Sequence, residues 1–299
     1  MRSFVCVVLA AFGWVTFAAA APARPVPVRP AAKKAAREPL EFTYLGVAGW
    51  IISGAGRTVI TDPYLTRPAD VDKPSVSDPA AVAAHTPAKA DLVLVGHSHI
   101  DHLLDAPAVA IRTGAELIGS RTTTALAKAA GAPADKLITI GGGEDFEFNG
   151  LSVLALKSLH SALGHKHTQH HELEGPARWP LAMDDFPEGG TYAYLVRLAG
   201  HEVLVFDTAN FIEREVQGLR PDIAIVAPGL RGEIHDYTCR LLNAIGRPKT
   251  VVLTHFDEWK KPAQGQDIDD DPEFRAEVER CAPGTKLIVP KVFAPFTLR

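Results

Sequence analysis

The segment Gly96-His97-Ser98-His99-Ile100-Asp101-His102 follows directly on the apolar run Leu92-Val93-Leu94-Val95, and it constrains the chain more than any other feature. Three imidazoles and a carboxylate within six residues outline a metal site. If the apolar run is a strand feeding a turn, positions two apart point the same way. His97 and His99 then converge on one point, while Asp101 and His102, beyond the bend, address a neighbouring one. One segment can thus serve two cations. Only 12 of the 299 residues are His, so this spacing is far more specific than an isolated histidine pair.

Three later apolar runs also end in a ligand-type residue: 151–159 in His160, 203–206 in Asp207, and 251–254 in His255. In this order of motifs the sequence resembles the metallo-β-lactamase superfamily, in which H-x-H-x-D-H is followed by a His, an Asp and a last His. The resemblance covers roughly Glu41 to the C-terminus. It is greatest to the branch of metal-dependent hydrolases that includes ascorbate-phosphate lactonases and N-acylethanolamine phospholipase D-like proteins. The opening segment 42–52 and the Ile60-Thr61-Asp62-Pro63 turn are similar to that branch's first hairpin. Val47 stands where members of the branch often carry His, so any role of that His does not transfer.

The resemblance implies an α/β fold, a four-layer αβ/βα sandwich of two mixed β-sheets flanked by helices. It implies that His97, His99 and His160 hold one ion, that Asp101, His102 and His255 hold a second, and that Asp207 bridges them, with Asp101 and His102 closest to the chemistry. Two divalent cations this close lower the pKa of a shared water to near neutrality, which supplies a nucleophile without a Ser or Cys. Imidazole and carboxylate donors with no nearby thiolate suit Zn2+ first, and Mn2+ or Fe2+ as well. The implied activity is hydrolysis of a phosphodiester, ester or lactone in a small-molecule or lipid-like substrate. An iron-dependent sulfur dioxygenase-type oxidoreductase uses the same ligand set. A non-catalytic periplasmic metal-binding protein is a further reading, motivated by the cluster His165, His167, His170 and His171.

With 46% hydrophobic and 22% charged residues, the chain has the composition of a well-cored globular protein. A formal charge of -4 without an extended basic cluster argues against a nucleic-acid partner. Residues 1–21 read as a secretory signal: Arg2, an apolar stretch from Phe4 to Phe17, then Ala18 to Ala21. The expected location is therefore periplasmic or secreted, with no membrane span once the signal is removed. Residues 22–40, rich in Ala and Pro, read as a linker, and 41–299 as the hydrolase domain. Removal of the signal leaves Cys239 and Cys281, which either pair or stay as separate buried thiols.

Strand signals at 42–46, 50–53 and 57–62 predict an antiparallel meander, and the stretch 67–90 a long loop. Helix-like periodicity at 105–112, 121–130, 211–218, 234–245 and 272–281 alternates with further strands. Two neighbours of the ligands invite a role. Asp257 is placed to orient His255, and Thr208 to bond the ligand beside it or its own backbone. Trp179 and Phe186 either wall a pocket or anchor their loop. His85, His201 and His235 read as surface or satisfied polar residues, with His235 within reach of a substrate.

Overall fold

Leu40, Phe42 and Tyr44 are fully buried while Glu41 is exposed, the period-two pattern of a half-buried strand. They belong to β1 (Leu40–Gly46), which forms the expected meander with β2 (Gly49–Gly54) and β3 (Arg57–Thr61). These elements come from a computed structural model of the chain that describes residues 37–163, 171–257 and 271–299. The signal segment, the linker up to residue 36, and His165, His167 and His170 lie outside the described residues. Among the described residues, contacts are already made ahead of Glu41. Glu38 is already tied down, its N–H donating to Ala199 O and its carbonyl accepting from His201 Nε2, each at about 3 Å.

The stretch 67–90 is not a loop throughout, because it contains α1 (Pro79–His85). Its start signal is Asp78-Pro79: the carboxylate accepts from Ala80 N at 2.8 Å, and a proline in the first turn has no N–H to leave unpaired. Next come β4 (Leu92–Leu94), α2 (Ile100–Leu103), α3 (Ala106–Thr113), β5 (Glu116–Gly119), α4 (Arg121–Ala129) and β6 (Leu137–Thr139). The second half holds β7 (Asp145–Glu147), β8 (Leu151–Lys157), β9 (Tyr192–Leu198), β10 (His201–Val205), α5 (Glu213–Val216) and β11 (Ile223–Val226). It ends with α6 (Tyr237–Ala244), β12 (Thr250–Leu253), α7 (Pro272–Cys281), β13 (Lys286–Ile288) and β14 (Phe296–Leu298).

The strands form two seven-stranded mixed sheets, ordered β14-β1-β2-β3-β4-β5-β6 and β13-β12-β11-β10-β9-β8-β7. In each, an antiparallel meander runs into parallel strands connected through helices. Apolar side chains from both sheets, among them Phe42, Trp50, Leu94, Val153, Val196 and Ile225, make one core between them. A second core packs the first sheet against α1, α3 and α4, and a third packs the other sheet against α6 and α7. Helix, sheet, sheet and helix are therefore four layers, as expected. Cys239 and Cys281 are joined in a disulfide that ties α6 to α7, with Cα atoms 4.8 Å apart. Among the described residues no helix is long and apolar enough to cross a membrane.

Candidate metal centre

The C-terminal ends of β4, β8, β10 and β12 carry the His97 segment, His160, Asp207 and His255 in turn, and they converge along one edge of the sandwich. Ligand sites in open α/β sheets lie beyond the carboxyl ends of strands for the same reason: the turns there are free to specialise while the strands below stay rigid. All seven residues expected from the sequence are brought together. The donor atoms of His97, His99 and His160 lie within 4.8 Å of one another, as do those of Asp101, His102 and His255 and those of His97, His102 and Asp207.

Backbone contacts set the His97 segment in place. Gly96 N donates to Asp62 Oδ1 at 2.8 Å, Tyr192 N to Gly96 O at 2.8 Å, and Ser98 N to Glu188 O at 2.8 Å. Residue 96 has to be glycine, because a Cβ there would collide with the Asp207 carboxylate. His99 then precedes the short helix α2, whose first turn presents Asp101 and His102. On the second sheet, Asn210 Nδ2 donates to His160 O at 3.0 Å and Thr208 Oγ1 to Leu159 O at 2.9 Å, pinning the turn that carries His160. Thr208 thus serves a neighbouring backbone and not Asp207.

The imidazoles are oriented from behind. His160 Nδ1 donates to Ser161 O at 2.9 Å, which leaves its Nε2 as the free donor atom. His97 Nε2 faces His99 Nδ1 at 3.0 Å, while His97 Nδ1 bonds Asp207 Oδ2 at 2.6 Å. His102 Nε2 is 3.4 Å from Asp101 Oδ2, and its Nδ1 is 3.4 Å from Asp62 Oδ1 and 3.8 Å from Asp207 Oδ2. These last contacts lie within ion-pair range, yet Nδ1 of His102 makes no hydrogen bond despite full burial. Asp207 therefore touches the Nδ1 edges of two imidazoles whose Nε2 edges face the two triads. Asp101 Oδ2 also approaches His255 Nε2 at 3.3 Å.

Burial pushes the pKa of His97, His99 and His160 down, to about 4 for the last two, and neighbouring imidazoles reinforce the effect. Neutral imidazole, the form that binds metal, is therefore their ordinary state. Burial also opposes charge at His102, but Asp101 and Asp62 outweigh it and hold its pKa well above the usual histidine range. Asp101 is held well below the usual carboxylate range: burial works against it, and His102 and His255 prevail. Asp207 is pushed well up by burial and by the Asp62 carboxylate. Imidazole and carboxylate donors gathered within 4.8 Å of one another in three overlapping groups fit one or more divalent cations.

Asp62 is the site residue that the sequence reading left without a role. It is buried, with its own pKa raised by burial, and it holds both Gly96 N and the Nδ1 edge of His102. Asp62 also follows a strand directly, but β3 has only two apolar residues, Val59 and Ile60, and so carries a weaker form of the signal that found the others. Asp257 does not orient His255. Its carboxylate accepts from Tyr44 OH at 2.7 Å, from Val47 N at 2.8 Å and from the buried Arg67 at 3.4 Å. His255 is instead held through its backbone, because Val47 O accepts from His255 N at 2.6 Å as well as from Thr254 Oγ1 and Tyr44 OH. Val47, Asp62 and His255 all have positive φ, at 53°, 36° and 51°. Such backbone persists only where neighbours over-determine it, and the interlocking contacts around Val47 and Asp62 do so.

Other conspicuous residues fall away from the centre. Phe186 is buried and meets Trp179 edge to face at 5.6 Å over the core of the first sheet, so this pair anchors its loop. His85 stacks on Phe293, and His201 is buried against Glu38. His235 is exposed and does not line the cavity at the centre, and His171 is exposed as well.

The sequence matches the family described as a beta-lactamase superfamily domain over residues 41–227. A UPF0173 metal-dependent hydrolase of Anaeromyxobacter dehalogenans is 28% identical over 232 residues, covering 75% of this chain and 77% of the relative. Another from Methanopyrus kandleri is 26% identical over 259 residues, covering 84% and 96%. The metallo hydrolase Igni18 of the archaeon Ignicoccus hospitalis has a similar fold, with a TM-score of 0.60 at 22% identity over 88% of this chain and 99% of that one. With its four layers, its clustered donors and its family match over more than half its length, the chain belongs to the metallo-β-lactamase superfamily of metal-dependent hydrolases.

Proposed function

We propose that the protein is an exported binuclear hydrolase of phosphodiesters, esters or lactones. The observation that carries this reading is the meeting of the two outer triads on one cavity of about 330 Å3, lined by His99, Asp101, His102, His160 and His255. In this reading His97, His99 and His160 would hold one cation and Asp101, His102 and His255 the other, with Asp207 serving both through the edges of His97 and His102. The bound cations, Zn2+ in the first instance, would supply an activated water and polarise the bond to be broken. The protein's own part is to present neutral imidazoles in the first triad and to keep the imidazoles fixed through Asp62, Asp207 and the Ser161 carbonyl. Asp101, held ionised at the cavity wall by His102 and His255, would be the carboxylate donor to the second cation.

Export is supported by the signal-like residues 1–21 and by the Cys239–Cys281 disulfide, since such bonds persist in oxidising compartments. The test is metal analysis of the purified chain coupled to a panel of phosphodiester, carboxylic ester, lactone, thioester and β-lactam substrates. Two equivalents of zinc with turnover on at least one of the first three classes is the expected result. Iron with oxygen consumption on a persulfide, or metal without turnover on any substrate, would overturn it.

A further inference from the structure

Two of the large apolar side chains that the fold leaves exposed, Leu163 at 39% and Leu230 at 49%, stand on the same cavity as the metal-ligand residues. They come from different strand ends, Leu163 from the turn after β8 and Leu230 from the turn after β11. Leu230 has φ 64°, a left-handed conformation that glycine adopts freely and a leucine does not. The turn is nevertheless held firmly. Arg231 Nη1 donates to Pro228 O at 3.3 Å, closing the turn, and its guanidinium forks onto Asp271 at 2.7 and 3.2 Å and onto Glu277 at 3.1 Å. Through these carboxylates α7 fixes the angle at which Leu230 is presented. A surface turn that needed no side chain would relax with glycine here. This one keeps a leucine beside the reaction centre.

Of the hydroxyls on the cavity, Thr208 donates to Leu159 O and Ser161 accepts from Ala209 N, so both are engaged with backbone. Among the described lining residues outside the metal-ligand set, Leu163, Ala227, Gly229 and Leu230 leave an apolar wall without a cationic side chain. A wall of this kind recognises hydrocarbon by removing it from water, and it does nothing for a charged group.

We propose that Leu163 and Leu230 are specificity-determining residues that bind an apolar arm of the substrate. The site then prefers neutral carboxylic esters or lactones bearing an alkyl or acyl chain over phosphodiesters. This rests on the hydrolase reading above and narrows it.

The test uses the full, metal-loaded chain and p-nitrophenyl acetate, butyrate and hexanoate beside bis-p-nitrophenyl phosphate. In the parent, kcat/KM should rise about two- to four-fold for each methylene up to hexanoate, the ratio expected for burying a CH2 group. Leu163→Ala and Leu230→Ala should each flatten that slope, whereas Ile111→Ala, at an exposed apolar position away from the cavity, should leave it intact. Calorimetry on the metal-free chain gives a readout that needs no turnover. Hexanamide should bind at least about ten-fold more tightly than acetamide, and the double leucine variant should lose the difference. Ester turnover without any chain-length slope, a slope unchanged in both leucine variants, or faster turnover of the phosphodiester than of every ester would overturn the inference while leaving a hydrolase. Full metal content with no turnover on esters, on γ-butyrolactone and γ-decalactone, or on the phosphodiester would overturn the hydrolase reading and the inference together.

Discussion

At His97, His99 and His160 the imidazoles face one another and the one close carboxylate, Asp207, sits behind His97, whereas at Asp101, His102 and His255 a carboxylate stands between two imidazoles. Both triads draw on the same short segment after β4, yet they hold protons differently. The first is neutral and ready to ligate at any pH above about 5, because His99 and His160 titrate at about 4. The second carries an ionised Asp101 against a His102 whose proton is retained, so a cation there has to displace that proton. Spacing within a motif can place two sites side by side, but the groups packed behind each donor decide how each responds to a cation.

The largest expected effect comes from removing one donor of each triad. His97→Ala and His255→Ala should each lower turnover by about a thousand-fold or more while leaving a folded protein, since the ligands lie beyond the strand ends and not in the cores. The metal content should distinguish the two. His255→Ala should lose one equivalent and keep the other, whereas His97→Ala, which also neighbours Asp207 and His102, should disturb both. Circular dichroism with metal analysis checks this, and full metal content and turnover in both variants would break the assignment.

Asp207→Asn comes next in size. Asp207 touches the Nδ1 edges of His97 and His102, so the substitution removes a negative charge from behind both triads while keeping the side chain's shape. Metal affinity should fall by roughly 10- to 100-fold, the range seen when a carboxylate behind a metal-bound imidazole is lost. The pattern sharpens the comparison. A bridging carboxylate would weaken both cations, and one that only orients His97 would weaken the first alone. Unchanged affinity for both would show that Asp207 does neither.

Much of this was legible in the sequence, and for one reason: strands that end in a ligand-type residue are visible as apolar runs with an abrupt polar stop. His97, His160, Asp207 and His255 all follow that rule. Asp62 follows β3, whose only apolar residues are Val59 and Ile60, and nothing in the sequence shows that its carboxylate folds back onto Gly96 N and the edge of His102. Asp257 illustrates the opposite case, a carboxylate two residues from a ligand that turns away to bind Tyr44, Val47 and Arg67, more than 180 positions distant in the chain. The short edge strands β6 and β14 were also invisible, since three half-exposed residues carry too little periodicity. Long-range pairing decides such elements, as when Phe296 meets Phe42 on β1.

A smaller effect separates the triads by pH in the metal-free protein. His99 and His160 have folded pKa values of about 4 against an ordinary 6.5, so between those limits the unfolded chain binds more protons. Their contribution is therefore complete above about pH 6.5 and is lost as pH falls toward 4, a few kcal/mol for the two imidazoles together. His102, with its pKa raised, runs the other way, and its contribution is lost only as pH rises through the folded value. Urea unfolding at pH 7, 6, 5 and 4.5 should show the acid slope, and the double variant His99→Gln, His160→Gln should flatten it. A flat profile in the parent would mean that the first triad is not held neutral by burial.

The smallest expected effect concerns the histidines beyond His160. His171 is exposed, and its charge is only a minor influence on His99, behind burial, His160, Asp101 and His102. The first triad already has its three donors from strand ends that the sheets hold rigid. Replacing His165, His167, His170 and His171 with Gln should therefore keep the full metal content and hold turnover of a small ester within about three-fold of the parent, as expected if none of the four is a ligand. Loss of one metal equivalent, or a collapse restored by excess zinc, would instead make the loop a loading site and add an external donor to the first triad alone. Full metal content with slower turnover only of bulky substrates would assign the loop to the cavity and leave the contrast between the triads as it stands.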